Sequence, residues 1–83
     1  MKEIITLDEF LEIKNNSKGF VAITDKNLTK NCIHHVKCKW LAAHNFKMKV
    51  ITSNRKNGSY YYTDDPDTPL RTFNKMTRCE KCF

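Results

Sequence analysis

The four cysteines fall in two short stretches, Cys32-Ile33-His34-His35-Val36-Lys37-Cys38 and Cys79-Glu80-Lys81-Cys82, with residues 39–78 between them. Each stretch carries soft ligands at close local spacing. Four sulfur or imidazole ligands usually reach one tetrahedral ion as two such local pairs. Closing the stretches on one another constrains this chain more than any of its apolar patterns does. With 83 residues, 40% hydrophobic and 29% charged, residues 1–83 form one domain, at a size where an apolar core alone is marginal. A cross-link makes up the difference.

The cross-link is either two disulfides or a set of metal thiolates. Met1-Lys2-Glu3-Ile4-Ile5-Thr6-Leu7-Asp8-Glu9 carries acids where a secretory signal would hold an unbroken apolar run. No apolar run approaches the length of a membrane span. The expected location is cytoplasmic, where thiols stay reduced, and no membrane partner is expected. One structural Zn2+ is therefore the expected cofactor.

Six residues compete for four ligand positions: Cys32, His34, His35, Cys38, Cys79 and Cys82. Cys79-x2-Cys82 is the secure half, since two intervening residues let both sulfurs face one ion. The other half stays open among His34-x3-Cys38, His35-x2-Cys38, Cys32-x2-His35 and a Cys32–Cys38 pair. Val36, Trp40 and Ala43 fall at helical spacing, so a short helix over 36–44 is expected. It would set His34 and Cys38 at i and i+4 on one face. The expected ligands are His34, Cys38, Cys79 and Cys82, with Cys32 in reserve or simply a small buried apolar residue.

Ile33-His34-x3-Cys38-x2-Leu41, followed far downstream by Cys79-x2-Cys82, resembles the metal-binding module of the Ada DNA-repair family. The resemblance covers ligand spacing from His34 to Cys82. It implies a small α/β domain around one zinc that contacts DNA through a basic surface. In that family the first cysteine accepts the alkyl group; His34 stands there in this chain, so alkyl transfer does not carry over.

The net charge is +6, and residues 26–63 contain no Asp or Glu but eight cations: Lys26, Lys30, Lys37, Lys39, Lys47, Lys49, Arg55 and Lys56. Exclusion of acids from a central block points to an anionic partner, most commonly nucleic acid.

Thr6-Leu7-Asp8-Glu9 is a capping box, with Ile5 and Phe10 as its hydrophobic staple. Leu7, Phe10, Leu11 and the Lys14 stem form the inward stripe of the helix, which ends over residues 15–19. Residues 20–24 read as a buried strand and 25–27 as a turn; 28–31 lead into a metal knuckle or a helix start. Phe46, Met48 and Val50 alternate with Lys47, Lys49 and Ile51, the pattern of a half-buried strand with outer lysines. Asn57-Gly58 is a turn pair, and Tyr60-Tyr61-Tyr62-Thr63 the returning strand, which puts Arg55 and Lys56 at a hairpin tip. Thr68 and Pro69 open a C-terminal helix, with Leu70, Phe73 and Met76 or Thr77 inward. The expected fold is α+β: an antiparallel sheet of about three strands, an N-terminal helix, and a C-terminal helix leading to the Cys79–Cys82 knuckle. Trp40 is read as core.

These residues lead to a basic, zinc-stabilised module that binds DNA or RNA through backbone phosphates. Lys47, Lys49, Arg55 and Lys56 would track phosphates, Lys37 and Lys39 would flank the metal, and Tyr61 would stack a base. The alternative is a protein-binding adaptor or inhibitor with a structural zinc. Catalysis is not expected. No His-Glu-x-x-His is present, and His34 is followed by His35-Val36 rather than by the x-Glu of a zinc deaminase.

Overall fold

The computed structural model describes residues 1–16, 18–26 and 31–83. The end of the turn expected at Asn27, and the approach to the first ligand stretch from Leu28 to Lys30, lie outside the described residues. Chain order is β1 (Lys2–Ile4), α1 (Leu7–Asn15), β2 (Phe20–Ile23), β3 (Asn31–His35), α2 (Ala43–Phe46) running into a π-helical segment (Lys47–Thr52), β4 (Tyr60–Thr63), α3 (Asp67–Thr72) and β5 (Met76–Arg78). The fold is α+β, but the expected antiparallel sheet of about three strands is corrected. Among the described residues, five strands form one mixed sheet in the order β1-β4-β2-β3-β5. The sheet is wider because the short segments at Lys2–Ile4 and Met76–Arg78 add to its edges and the first ligand stretch is itself a strand. All neighbours run antiparallel except β3 and β5, which are parallel.

Helix α1 starts as the capping box dictates. The Glu9 amide donates to Thr6 Oγ1 at 3.1 Å, and Glu9 Oε1 accepts from the Thr6 and Ile5 amides, each at 3.2 Å. Its inward face differs in detail: Leu7, Phe10 and Ile13 pack on the core, while Leu11 and Ile5 are exposed.

The hairpin expected from residue 46 onward is corrected. Residues 43–52 are helical, because Phe46 and Val50, which fit a strand period of two, also lie four apart and share one helix face. Burial settles which period operates: Phe46 and Val50 are buried, whereas Met48 and Ile51 are each 50% exposed. Phe46 stacks on Phe10 of α1 with centroids 4.6 Å apart, and Tyr60 meets both rings edge-on at 5.1 and 6.0 Å. These rings join Ile4, Val21, Val36 and Leu41 in the main core, on the sheet face covered by α1 and α2.

Three further expectations are corrected. The first ligand stretch opens as neither knuckle nor helix: residues 31–35 are strand β3, and the helix expected over 36–44 begins only at Ala43. The C-terminal helix stops at Thr72, with Phe73 already extended. Lys75 turns the chain with φ of 57°, and β5 then pairs alongside β3 with Ile33 opposite Arg78. Ala22, Ile33 and Met76, with Phe20, Tyr61, Leu70 and Phe73, form a smaller core on the second face. Trp40, read as core, is 54% exposed.

Candidate metal centre

Strand β3 delivers His34 to the main-core side of the sheet, and a tight turn after the strand folds Cys38 back toward it. The Cys38 amide donates to the His35 carbonyl at 3.0 Å, and the Leu41 amide to the Cys38 carbonyl at 3.0 Å. His34 and Cys38 therefore converge through a strand and a turn, not through the helical i, i+4 relation expected from the sequence. The other half arrives on β5. Its parallel pairing continues past Arg78, where the Cys79 amide donates to the Ile33 carbonyl at 2.9 Å. The next turn is closed by Cys82 and Phe83 amides donating to the Cys79 carbonyl at 3.3 and 3.1 Å.

The ligand atoms of His34, Cys38, Cys79 and Cys82 all lie within 4.8 Å of one another. Three sulfurs and an imidazole around one tetrahedral ion would sit about 3–4 Å apart, so a small contraction brings the set into coordination. His34, Cys38 and Cys79 are buried and Cys82 is partly so. Within this cluster, His34 Nδ1 is buried and has no hydrogen-bond partner. An orphaned buried nitrogen is costly, and a metal ion among the sulfurs removes that cost.

The surroundings favour thiolate at Cys79. Burial raises the Cys79 thiol, but backbone amides of Lys81 and Cys82 and the thiols of Cys82 and Cys38 outweigh it, and the net direction is down. Cys82 is pushed up to about 12, first by burial and then by its thiol neighbours, although the His35 amide donates to its sulfur at 3.4 Å. Cys79 thus ionises ahead of Cys82, and a bound cation would allow Cys82 to follow. Burial holds the His34 imidazole below its ordinary value, in the neutral form a metal requires.

Helix α1 is tied to this centre. Lys14 Nζ donates to the Cys38 carbonyl at 2.8 Å, and Lys37 Nζ returns to the Lys14 carbonyl at 3.1 Å. The Lys14 ammonium is placed to offset the negative charge that three thiolates and a divalent ion would leave.

The two reserve ligands are separated by the strand itself. His35 follows His34 and so faces the opposite side of the sheet. There its ring stacks with Phe20 and Phe83 at 4.7 and 4.6 Å. Cys32 lies on the same face as His34, packs on the main core beside Cys79, and has its thiol raised to about 11, chiefly by burial.

The expected phosphate-binding residues are not brought together on one strand face. Lys49 is turned inward, where Nζ contacts Asp25 Oδ2 at 2.9 Å and the Thr24 carbonyl at 3.2 Å. Arg55 pairs with Glu3 at 3.4 Å. Lys47 and Lys56 are exposed on the helical segment and the loop after it. Lys37 and Lys39 flank Cys38 as expected, but Tyr61 packs against Phe73 with centroids 5.1 Å apart, away from Lys47 and Lys49. The sequence reading missed Phe20, His35 and Phe83. The only signal for them was the alternation that puts residue 35 opposite residue 34.

Compared with family models, curated proteins and solved structures, the chain matches none. Among the described residues, no helix is long and apolar enough to cross a membrane.

Proposed function

We propose that the chain is a zinc-stabilised nucleic-acid-binding module, without catalytic activity, that works in a thiol-reducing compartment such as the cytoplasm. The observation that carries the metal is the convergence of His34, Cys38, Cys79 and Cys82, supported by a His34 Nδ1 that is buried and unpartnered. Of the metals such a set takes, zinc fits three thiolates and an imidazole in a tetrahedron, with its four positions filled by protein. A closed tetrahedron has no place for substrate water, so the role is structural. The ion fastens β5 and the C-terminal turn to β3, in a domain too small to rely on its core alone.

Nucleic acid as partner is supported by the net charge of +6 and by the acid-free block in residues 26–63. Lys37 and Lys39 are anchored by the metal loop between them, which suits contact with backbone phosphates. A protein-binding adaptor is the second reading, favoured by the exposed Met48 and Ile51 on the helical segment.

The test begins with metal content on protein purified in reductant. One zinc per chain, displaced by a chelator with loss of the folded state, is expected. Cobalt substitution should give a tetrahedral spectrum with thiolate charge-transfer bands. Cys32→Ser should keep full stoichiometry while Cys82→Ser loses it. Affinity for nucleic acid should then fall steeply with salt, in proportion to the phosphates neutralised; an apolar protein interface would barely respond.

A further inference from the structure

His35, Phe20 and Phe83 form a three-ring cluster on the sheet face opposite the metal, with His35 4.7 Å from Phe20. Phe20 and Phe83 are 5.7 Å apart and within 16° of parallel, and His35 and Phe83 are 4.6 Å apart at 30°. The Arg78 guanidinium lies over Phe83, 5.8 Å from its centroid. Phe20 borders the smaller core, but the cluster reaches solvent: Phe83 is 46% exposed, and Phe20 and His35 are half-buried. Hollows of about 410 and 420 Å³ border His35. Lys37, Lys39 and Lys81 line the first together with Cys38 and Cys82 of the metal cluster, and Lys18 and Lys37 line the second together with Asp64. Asp67 pairs with Arg78 at 3.4 Å, and Asp64 accepts from the Tyr62 hydroxyl at 3.1 Å, so lysines outnumber acids along both hollows.

We infer that this cluster, through its exposed Phe83 ring, is a stacking platform for single-stranded nucleic acid, resting on the nucleic-acid reading above. Planar rings reaching solvent, ringed by lysines, match a ligand that alternates flat bases with phosphates. Bases stack on Phe, His and guanidinium planes, and a basic rim tracks the backbone. A run of Asp and Glu would use the lysines but offers no ring to stack on Phe83. A duplex keeps its bases paired and would leave the rings unused. The metal centre fixes the platform from beneath: the His35 amide donates to Cys82 Sγ, and Phe83 follows Cys82 directly.

The experiment uses the zinc-loaded full chain and a fluorescein-labelled oligothymidylate, with the matched duplex and polyglutamate as competitors. The chain's one tryptophan, Trp40, is exposed beside Lys39, so its fluorescence gives a second, label-free readout. Phe83→Ala and His35→Ala should each weaken binding about 10-fold with the salt slope unchanged, the signature of lost stacking. Phe83→Trp should restore it. Lys39→Gln with Lys81→Gln should reduce the salt slope by about two. Zinc content and circular dichroism of each variant separate a lost contact from a lost fold. If the oligonucleotide binds but Phe83→Ala and His35→Ala leave affinity unchanged, the platform is overturned and the nucleic-acid reading stands. Preference for the duplex overturns the platform in the same way. If no oligonucleotide binds at low salt, or polyglutamate binds as tightly, both readings are overturned.

Discussion

His34 and His35 are consecutive on β3 and serve opposite faces of one sheet. His34 lies in the buried cluster with Cys38, Cys79 and Cys82, and His35 packs against Phe20 and stacks on Phe83. Two imidazoles that are equivalent candidates in the sequence are given different chemistry by strand alternation alone. His34→Ala should therefore lower zinc affinity by at least about 10-fold and destabilise the domain, whereas His35→Ala should keep one zinc per chain. Atomic absorption on both purified variants checks this, and equal metal loss would mean that the strand register is wrong.

Lys14 holds the Cys38 carbonyl at 2.8 Å. Lys14→Met keeps the apolar stem and removes only the ammonium. The lost hydrogen bond should cost about 1 kcal/mol, which lowers the melting temperature of a domain this size by about 4–8 °C. Zinc affinity should fall with it, since the positive charge next to the thiolates is gone. A thermal melt and a competitive chelator titration give both numbers; a melting temperature unchanged within a degree would refute the link between α1 and the metal loop.

Gly58 sits where β4's leading segment passes β2. The Thr24 amide donates to the Ser59 carbonyl at 2.9 Å, and the Ser59 amide to the Thr24 carbonyl at 3.3 Å. Gly58 has φ of 152°, and a Cβ there would overlap the Thr24 carbonyl oxygen. Gly58→Ala is expected to cost more than about 2 kcal/mol through this backbone clash. Urea unfolding measures it, with Gly19→Ala as a comparison: Gly19 also has a strained φ, 108°, but its added methyl would meet the Tyr62 side chain and not backbone.

Glu9 contributes in a pH-dependent way. Its carboxyl is held below the ordinary 4.5 first by Lys2, 3.2 Å away, and then by the Ile5 amide. A depressed carboxyl gives stability that is complete above the unfolded value and lost as pH falls through the folded one. Glu9→Gln keeps an acceptor for the cap but removes the charge. Its melting temperature should lie below the parent's at neutral pH, and the two should converge as pH drops below about 4.5. A gap that persisted under acid would assign Glu9 a role other than its charge.

Much of the local structure is legible along the chain because it depends on neighbours in sequence. Thr6 and Glu9 mark the start of α1, since both halves of a capping box lie within one turn. The strand at Tyr60–Thr63 and the Cys79-x2-Cys82 turn are local in the same sense. The helix over residues 43–52 was illegible because Phe46 and Val50 satisfy both periods, and only the stacking of Phe46 on Phe10 decides between them.

The sequence by itself determined the ligand types, the basic centre of the chain and the need for a cross-link in so small a domain. Tertiary structure alone decided which histidine joins the cysteines and how the two halves meet. The parallel pairing of β5 with β3 joins residues more than 40 positions apart, and no local spacing records it. That pairing sets Cys79 and Cys82 beside His34, and it leaves His35 on the far face with Phe83. The reason is physical: a strand's pleat assigns its side chains to alternate faces, but which face is core depends on the helices that pack there.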